Sequence, residues 1–362
     1  MKLNHIYKSI ACGVLLAMTA TSCDLDYNPV DTYSDVTEGV NKTDEKPIFN
    51  SVQDVETSMV TLHKKFRDRQ EHWYVDKLLI GDAHSDNAYA GTTGAEVVPY
   101  ETNSIEGSNS VLKRDWDRFL GDIAVANRII VGCDQLKALS ESERGKYQSQ
   151  AKIFRAMVMF DMVRLWGNFP VITTVGGDIT EDNVEEMYPT YFPPQNTAEE
   201  AYAQIEKDLT EAVENPNTPT NDTSDKSILT KSVARAMLAK VYAEKPLRDY
   251  AKVIKYADEL AADGFDLVED FSDLWAYDTE KKDCRVRNTK EAILEAHFPP
   301  GSGNWCTWMF GRNLSNWDES FTWAKWITPS RDLIRLYEEQ GDTKRYNESV
   351  VWYDCGWKIG RA

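Results

Sequence analysis

Apolar residues recur every three or four positions over most of this 362-residue chain, which is the spacing of amphipathic helices. The same period covers residues 115–136 and residues 201–212. The first clear stripe is formed by Val52, Val55, Met59, Leu62 and Phe66. The pattern therefore predicts a mainly α-helical chain.

Several helix ends are marked by their own residue types. Ser140 and Glu143 have the spacing of a capping box, and Thr197 and Glu200 repeat it. Gly167 stands where a helix can end in a left-handed residue. The apolar stripe between the first box and Gly167 is so wide that this helix is expected to be buried on two sides. Its members are Tyr147, Ala151, Ile153, Phe154, Met157, Val158, Phe160, Met162 and Leu165.

Two further helices are predicted at residues 230–243 and 248–261. Small residues alternate with bulky ones over about 34 residues, as in a tetratricopeptide-type hairpin whose helices pack closely. The alanines are Ala234, Ala236, Ala239 and Ala243. One hairpin cannot bury its own faces, so the earlier helices must stack on it. The predicted fold is a tetratricopeptide-like helical scaffold that bears an irregular, loop-rich ligand face.

Residues 81–110 interrupt the helical pattern. Glycines lie there among Ser, Thr, Asn and Asp, and a stretch this long without periodicity is more typical of a binding loop or a disordered excursion than of a simple connector. Asp82, Asp86, Asn87 and Tyr89 are the side chains expected to contact a ligand. Each of them could instead serve only to form a turn.

A second irregular region is rich in tryptophan. Five of the 11 tryptophans lie within 22 residues, among glycine, asparagine and serine. A sugar ring can stack its apolar face on an indole while polar side chains bind its hydroxyl rim. Trp305, Trp308, Trp317 and Trp323 are therefore predicted ligand contacts, with Trp326 completing the cluster. The alternative is that some of these rings only fill the junction between helices and loops.

The N-terminus has the pattern of a bacterial lipoprotein signal. Lys2 and Lys8 flank a polar start, residues 10–18 are almost wholly apolar, and small residues precede Cys23. Residues 1–22 are predicted to be a signal peptide, Cys23 the lipid attachment site and residues 23–46 a tether. An ordinary secretory signal with an incidental cysteine is the alternative. A domain covers residues 47–362.

Charge argues against a nucleic-acid partner. The chain has a net charge of −18, and removal of residues 1–22 takes away two lysines and no acid, which leaves −20. Such a surface repels phosphate backbones and anionic lipid headgroups. Membrane contact is therefore expected through the lipid anchor alone.

Cysteine and histidine positions give no metal motif, so neither a zinc site nor a cofactor is expected. Cys133, Cys284, Cys306 and Cys355 allow three disulfide connectivities, of which a Cys284–Cys306 pair is favoured. No catalytic spacing is present, so the chain is not expected to be an enzyme.

Segments in a shared order along the chain resemble the SusD/RagB family of nutrient-binding outer-membrane lipoproteins of Bacteroidetes. They are Cys23-Asp24-Leu25-Asp26 with Pro29, Arg155-Ala156, residues 165–172, residues 205–212, residues 231–242 and residues 291–295, the last as a glutamate-led strand. The resemblance implies a ligand site drawn from residues 81–110 and 299–326. Family members usually run further, so the sequence is expected to be a fragment that is incomplete at its C-terminus.

The resemblance also implies a function. The expected protein captures oligosaccharides at the cell surface and delivers them to a SusC-like TonB-dependent outer-membrane transporter. A RagB-like peptide-binding lipoprotein is the first alternative, and an acidic site poor in aromatics would favour it. A secreted glycoside hydrolase is the second.

Overall fold

The computed structural model describes residues 47–68, 71–90, 96–179, 181, 183–274, 277–278, 280–281, 283–298 and 327–350. Helices dominate this part of the chain. They are α1 (Val52–Asp68), α2 (Asp76–Leu78), α3 (Val98–Glu101), α4 (Ser110–Gln135), α5 (Glu141–Trp166), α6 (Val184–Tyr191), α7 (Ala198–Glu214), α8 (Lys231–Ala243), α9 (Tyr250–Ala262), α10 (Arg331–Gln340) and α11 (Thr343–Ser349). Phe271–Leu274 forms a short 3-10 helix.

Two small antiparallel sheets accompany the helices. In the first, β1 (Ala88–Ala90) pairs with β4 (Ile327–Pro329), with Tyr89 opposite Thr328. In the second, β2 (Tyr277–Asp278) pairs with β3 (Asp283–Cys284). The first sheet joins parts of the chain that lie about 240 positions apart in sequence, so it is a long-range tie between two loop regions.

Local sequence signals explain where α5 and α7 begin and where α5 ends. Ser140 and Glu143 form a capping box at α5, and Thr197 and Glu200 form one at α7, as predicted. In each box the hydroxyl accepts a hydrogen bond from the backbone N–H three residues on. Gly167 ends α5 with φ of 72°, a backbone conformation that glycine adopts without a steric cost.

Helix α5 is the centre of the main core. It packs against α4 on one side and α7 on the other, and α7, α8 and α9 then follow in sequential contact. Phe154, Val158 and Met162 are fully buried, and so are Ile153 and Met159 on other faces of the helix. The predicted two-sided burial and the mainly α, tetratricopeptide-like scaffold are confirmed. We call α1, α4, α5, α7, α8 and α9 the helical frame.

A buried ion pair ties the frame together. Arg155 Nε and Nη2 donate to the two carboxylate oxygens of Asp208 at 2.8 and 2.7 Å, and Nη1 donates to Asn127 Oδ1 at 2.7 Å. Asn127 Nδ2 in turn donates to the carbonyls of Ile172 and Thr174. One network thus connects α4, α5, α7 and the chain that follows Pro170.

A second, smaller core lies under the loop region. It consists of Leu79, Ala83, Ala88, Val97, Tyr100, Val111 and Ile327, all buried. These residues come from the segment after α1, from β1, α3, the start of α4 and β4. Residues 81–90 and 96–110 are therefore anchored by burial, although their sequence has no helical period.

Two predictions differ from the structure. Residues 291–295 form turns and irregular backbone where a strand was expected. Among the described residues, one backbone hydrogen bond links them to another segment, from Glu295 N–H to the carbonyl of Lys226, and a single bond does not pair a strand. Helix α9 begins at Tyr250, two residues later than predicted, because Arg248 has φ of 44° and cannot be helical.

Within the described residues, no helix combines the length and the apolar character that crossing a bilayer requires.

Candidate functional site

An unusual helical segment leads into the candidate ligand loop. Residues 71–83 consist of a π-helical stretch (Glu71–Val75), the short helix α2 and a second π-helical stretch (Leu79–Ala83). We call residues 71–83 the π-helical segment and residues 81–110 the ligand-facing loop. π-Helical geometry is rare and is often retained at functional sites, which marks this segment for attention.

Aromatic packing fixes the start of the π-helical segment. Trp73 is 4% exposed, and its indole N–H donates to Asp122 Oδ2 at 3.1 Å. His72 contacts the same carboxylate oxygen at 2.8 Å. The Trp73 ring lies 4.8 Å from the ring of Phe66 in α1. Trp73 is thereby held in the core, while its neighbour Tyr74 remains partly exposed.

The residues that follow the tryptophan-rich segment, which comprises residues 299–326, pair with the ligand-facing loop. β4 begins at Ile327, directly after Trp326, and Ile327 pairs with Ala90 of β1. Ser330 extends the contact, since its backbone N–H donates to the carbonyl of Asn87 at 2.9 Å and its hydroxyl donates to the carbonyl of Asp86.

Phe298, the residue before the same segment, contacts the π-helical segment. The ring of Phe298 lies 6.4 Å from the ring of Tyr74, in an edge-to-face arrangement. Arg287 donates to the carbonyl of Phe298 at 3.0 Å. The described residues on either side of the tryptophan-rich segment, Phe298 and Ile327, therefore contact Tyr74 and Ala90.

The four predicted contacts of the loop lie close together in the chain and on the surface. Asp86, Asn87 and Tyr89 are exposed, Tyr89 by 39%, and Asp82 is half-buried. The Asp82 turn is made by its backbone carbonyl, which accepts from the N–H and hydroxyl of Ser85. Asp86 and Asn87 likewise use their backbones to hold Ser330. These contacts use backbone atoms of Asp86 and Asn87 and leave both side chains exposed.

The remaining predicted positions cannot be placed. Cys23 and the tryptophans Trp305, Trp308, Trp317, Trp323 and Trp326 lie outside the described residues. Cys306 and Cys355 do as well, so the Cys284–Cys306 pair stays a prediction. Cys133 is an unpaired thiol buried in the main core, where burial raises its pKa to about 12.

A cavity of about 190 Å³ lies beside Tyr74, whose ring contacts that of Phe298. Lys77 lies on its wall, 4.7 Å over the Trp73 ring and 2.5 Å from Asp161 Oδ2. The lining combines apolar surface with a few polar groups, as ligand sites do. It is formed by Phe66, Trp73, Tyr74, Lys77, Met157, Leu294, Glu295 and Ala296.

The sequence analysis missed this cavity. The adjacent aromatic residues Trp73 and Tyr74, which follow the amphipathic helix α1, were its available signal. Both rings line the cavity, with Trp73 buried in the core and Tyr74 partly exposed.

A second cavity, of about 430 Å³, lies within the ligand-facing loop. Its lining is polar and acidic and contains no aromatic side chain. The lining residues are Glu96, Pro99, Ser104, Glu106, Ser108, Asn109 and Ser110. Such a surface offers hydrogen-bond acceptors and negative charge but no stacking platform.

Two buried carboxyl groups lie beneath the loop. Asp76 and Asp115 are 0% and 1% exposed, and Arg114 contacts both of them. Burial, and then the neighbouring Asp76 carboxylate, raise the pKa of Asp115 to about 9. No group of three or more acidic, cysteine or histidine side chains with metal-binding geometry occurs in the described part of the chain.

The comparisons with known proteins identify the family. A SusD-like family model, described as starch-binding and associating with the outer membrane, matches residues 33–243. The chain belongs to the SusD-like family. The family is thus one associated with the outer membrane.

Individual relatives agree with this assignment. A SusD-like protein of Bacteroides ovatus is 25% identical over 309 residues, which are 82% of this chain and 50% of that protein. Surface glycan-binding protein A from Bacteroides fluxus has a similar structure, with a TM-score of 0.67 at 19% identity over 86% of this chain and 66% of the other.

A third relative was solved with a ligand. Surface glycan-binding protein A from Bacteroides thetaiotaomicron, in complex with laminarihexaose, matches with a TM-score of 0.61 at 15% identity, over 79% of this chain and 61% of that one. These structural matches establish the SusD-like fold. The chain spans about half the length of the curated relative and less than two thirds of the first solved structures.

Proposed function

We propose that this SusD-like chain is a lipid-anchored, surface-exposed glycan-binding protein of the outer membrane. It captures oligosaccharides and hands them to a SusC-like TonB-dependent transporter, without cleaving them. The observation that carries the proposal is that Phe298 and Ile327, the described residues on either side of the tryptophan-rich segment, contact Tyr74 and Ala90, and that Asp82, Asp86, Asn87 and Tyr89 lie between these two positions in the chain.

The chemistry of these residues suits a neutral sugar. Indole and phenol rings stack on the apolar faces of pyranose rings, and exposed Asp and Asn side chains bind hydroxyl groups. The side chains of Asp86 and Asn87 are exposed, and their contacts with Ser330 use backbone carbonyls. The cavity lined by Tyr74 and Trp73 adds a concave surface with aromatic side chains.

The named ligands of similar proteins support the choice of a glycan. One similar structure is that of a laminarin-binding SusD-like protein, and another was solved with a xylogluco-oligosaccharide. Laminarihexaose and a xyloglucan oligosaccharide are therefore the first probes, followed by a glycan array.

Calorimetric titration of the purified chain tests the proposal. Trp305→Ala, Trp308→Ala, Trp317→Ala and Trp323→Ala are each expected to weaken binding by about 1–3 kcal/mol where the indole stacks on the sugar, by analogy with base stacking. Trp166→Phe is the control, because Trp166 packs against Trp116 and Phe119 in the helical frame. If all five variants bound the glycan with the same affinity, the proposal that these tryptophans form the binding site would be refuted.

The absence of cleavage is tested with the same probes. Incubation of the purified chain with laminarin or xyloglucan is expected to release no reducing ends. Catalysed release would favour the glycoside hydrolase instead, in which two carboxyl groups act at a fixed separation.

The anchor is proposed from the N-terminal pattern. Residues 1–22 are removed, Cys23 is acylated, and residues 23–46 connect it to the domain that begins at residue 47. Mass spectrometry of the mature protein is expected to find the lipid on Cys23, and Cys23→Ser is expected to shift the protein out of the membrane fraction. Co-purification of the anchored protein with a TonB-dependent transporter tests the handover step.

One observation favours peptide binding as the second candidate. The 430 Å³ cavity of the ligand-facing loop is acidic and lacks aromatic side chains, which suits basic peptides better than sugars. Titration with a short lysine-rich peptide separates the two functions. Binding that is lost in Glu96→Gln and Glu106→Gln, together with no response to any glycan, would make the peptide the ligand.

A further inference from the structure

The buried carboxyl pair Asp76 and Asp115 lacks the donors that two ionised groups need. Arg114 Nη2 donates to Asp76 Oδ2, but Arg114 Nε is 3.7 Å from Asp115 Oδ1. Among the described residues, Asp76 Oδ1 and both oxygens of Asp115 accept no bond from an N–H or O–H donor. A buried carboxylate without donors is strongly disfavoured.

A single proton resolves this. Arg114 contacts both carboxyl groups, so they lie beside one another, and two such groups can bond to each other only when one of them carries a proton. Asp76 is the one that accepts a hydrogen bond from Arg114. The proton therefore belongs on Asp115.

The charges around the pair lead to the same assignment. The π-helical segment contributes Glu71 and Asp76, α3 contributes Tyr100, and α4 contributes Arg114, Asp115 and Arg118. Arg118 Nη1 pairs with Glu71 Oε2 at 2.8 Å. Burial, and then the charges of Asp115 and Asp76, raise the pKa of Tyr100, so its hydroxyl is neutral. Glu71, Asp76 and Asp115 thus face two arginines. Protonation of Asp115 makes the numbers of negative and positive charges equal.

We propose that Asp76 and Asp115 share one proton at neutral pH, and that this acid pair, clamped by Arg114, fixes the ligand-facing loop to the helical frame. Asp76 lies in the segment that leads into the loop, the buried Tyr100 lies on α3 within it, and Asp115 lies in the first turns of α4. Asp115 is thus a positioning residue beneath the face proposed above to bind glycans. The test of the shared proton does not use a ligand, so it can fail independently of the proposed function.

The test is the pH dependence of the unfolding equilibrium, with Asp115→Asn and the control Asp117→Asn. Because the pKa of Asp115 is raised in the folded state, its contribution to stability is full below pH 4 and decreases up to about pH 9. The unfolding equilibrium constant of the wild-type protein, divided by that of Asp115→Asn, is expected to rise about tenfold per pH unit between pH 5 and 8. Asp117 is exposed and paired with Lys113 on the same helix, so Asp117→Asn is expected to show no such rise.

Infrared spectroscopy of the wild-type protein keeps the test decisive if Asp115→Asn does not fold. A protonated carboxylic acid band is expected at pH 7, and it is expected to disappear as the pH is raised above 9. Amide exchange, corrected for its intrinsic pH dependence, is expected to increase over residues 76–83 and 97–101 in the same range. A flat stability ratio, or no acid band at pH 7, would overturn the proposal. The proposal would also be overturned if Ca²⁺ raised the thermal unfolding midpoint of the wild-type protein but not that of Asp115→Asn, because a cation would then occupy the place of the proton.

Discussion

Two buried sites in this protein join arginine to aspartate, and they are built differently. In the helical frame, Arg155 faces one carboxylate, Asp208, through two hydrogen bonds, and Asn127 takes a third. Beneath the ligand-facing loop, Arg114 serves two carboxyl groups and leaves three of their oxygens without a donor. The first site pairs one arginine with one carboxylate, whereas the second depends on one proton.

The difference between the two sites corresponds to the structural roles of the helical frame and the loop region. The frame must hold helices α4, α5 and α7 in one arrangement, and a fully bonded ion pair does so. The loop region has a core of seven buried residues, short strands and π-helical backbone. Regions with less buried apolar surface unfold locally at a lower free-energy cost, and ligand-binding segments commonly belong to such regions.

The largest expected effect is on the frame. Arg155→Met leaves Asp208 buried with Gln204 as its remaining side-chain donor, and it is expected to lower the free energy of unfolding by about 3–5 kcal/mol. Denaturant unfolding measures this. Lys152→Met is the control, because Lys152 lies one turn earlier on α5 and pairs with Glu211 on α7 at a far more exposed position, where about 1 kcal/mol or less is expected. Equal losses in the two variants would contradict the comparison.

The second effect tests whether the loop region opens separately. Leu79 is fully buried in the small core, so Leu79→Ala is expected to cost about 2–5 kcal/mol locally. Amide exchange should become faster over residues 79–111 and 327–330, with α7 and α8 unchanged. A uniform loss of protection in all helices would mean that both regions unfold as one unit.

The smallest effect concerns a hydroxyl group. Tyr100 is completely buried, and its oxygen has no hydrogen-bond partner among the described residues. Tyr100→Phe removes an unsatisfied polar atom without changing the packing, so stability is expected to stay within about 1 kcal/mol of wild type, on the stabilising side. A larger loss in thermal or denaturant unfolding would reveal a polar partner for this oxygen.

The frame was predictable from sequence because its signals are local. The capping boxes at Ser140 and Thr197, the glycine stop at Gly167 and the stripe of α5 each depend on residues a few positions apart. Arg155 and Asp208 both stand in segments that resemble the SusD/RagB signatures, and their ion pair gives a physical reason for those residue types.

The loop region was predictable only as an irregular stretch. The pairing of β1 with β4 joins residues about 240 positions apart, and the proton between Asp76 and Asp115 exists only because two separate segments bury them together. Tyr89 and its neighbours were expected from composition, but the fixed position of β4 beside them has no local signal. The strand expected at residues 291–295 failed for the converse reason, since a strand needs a partner along its length.

Amide exchange of the purified chain with and without a bound oligosaccharide tests the central claim most directly. Using laminarihexaose or the best ligand from the glycan array, we expect protection over residues 82–90 and 299–330, and no change over α7, α8 and α9. Protection confined to the helical frame, or no protection with any glycan, would contradict the account.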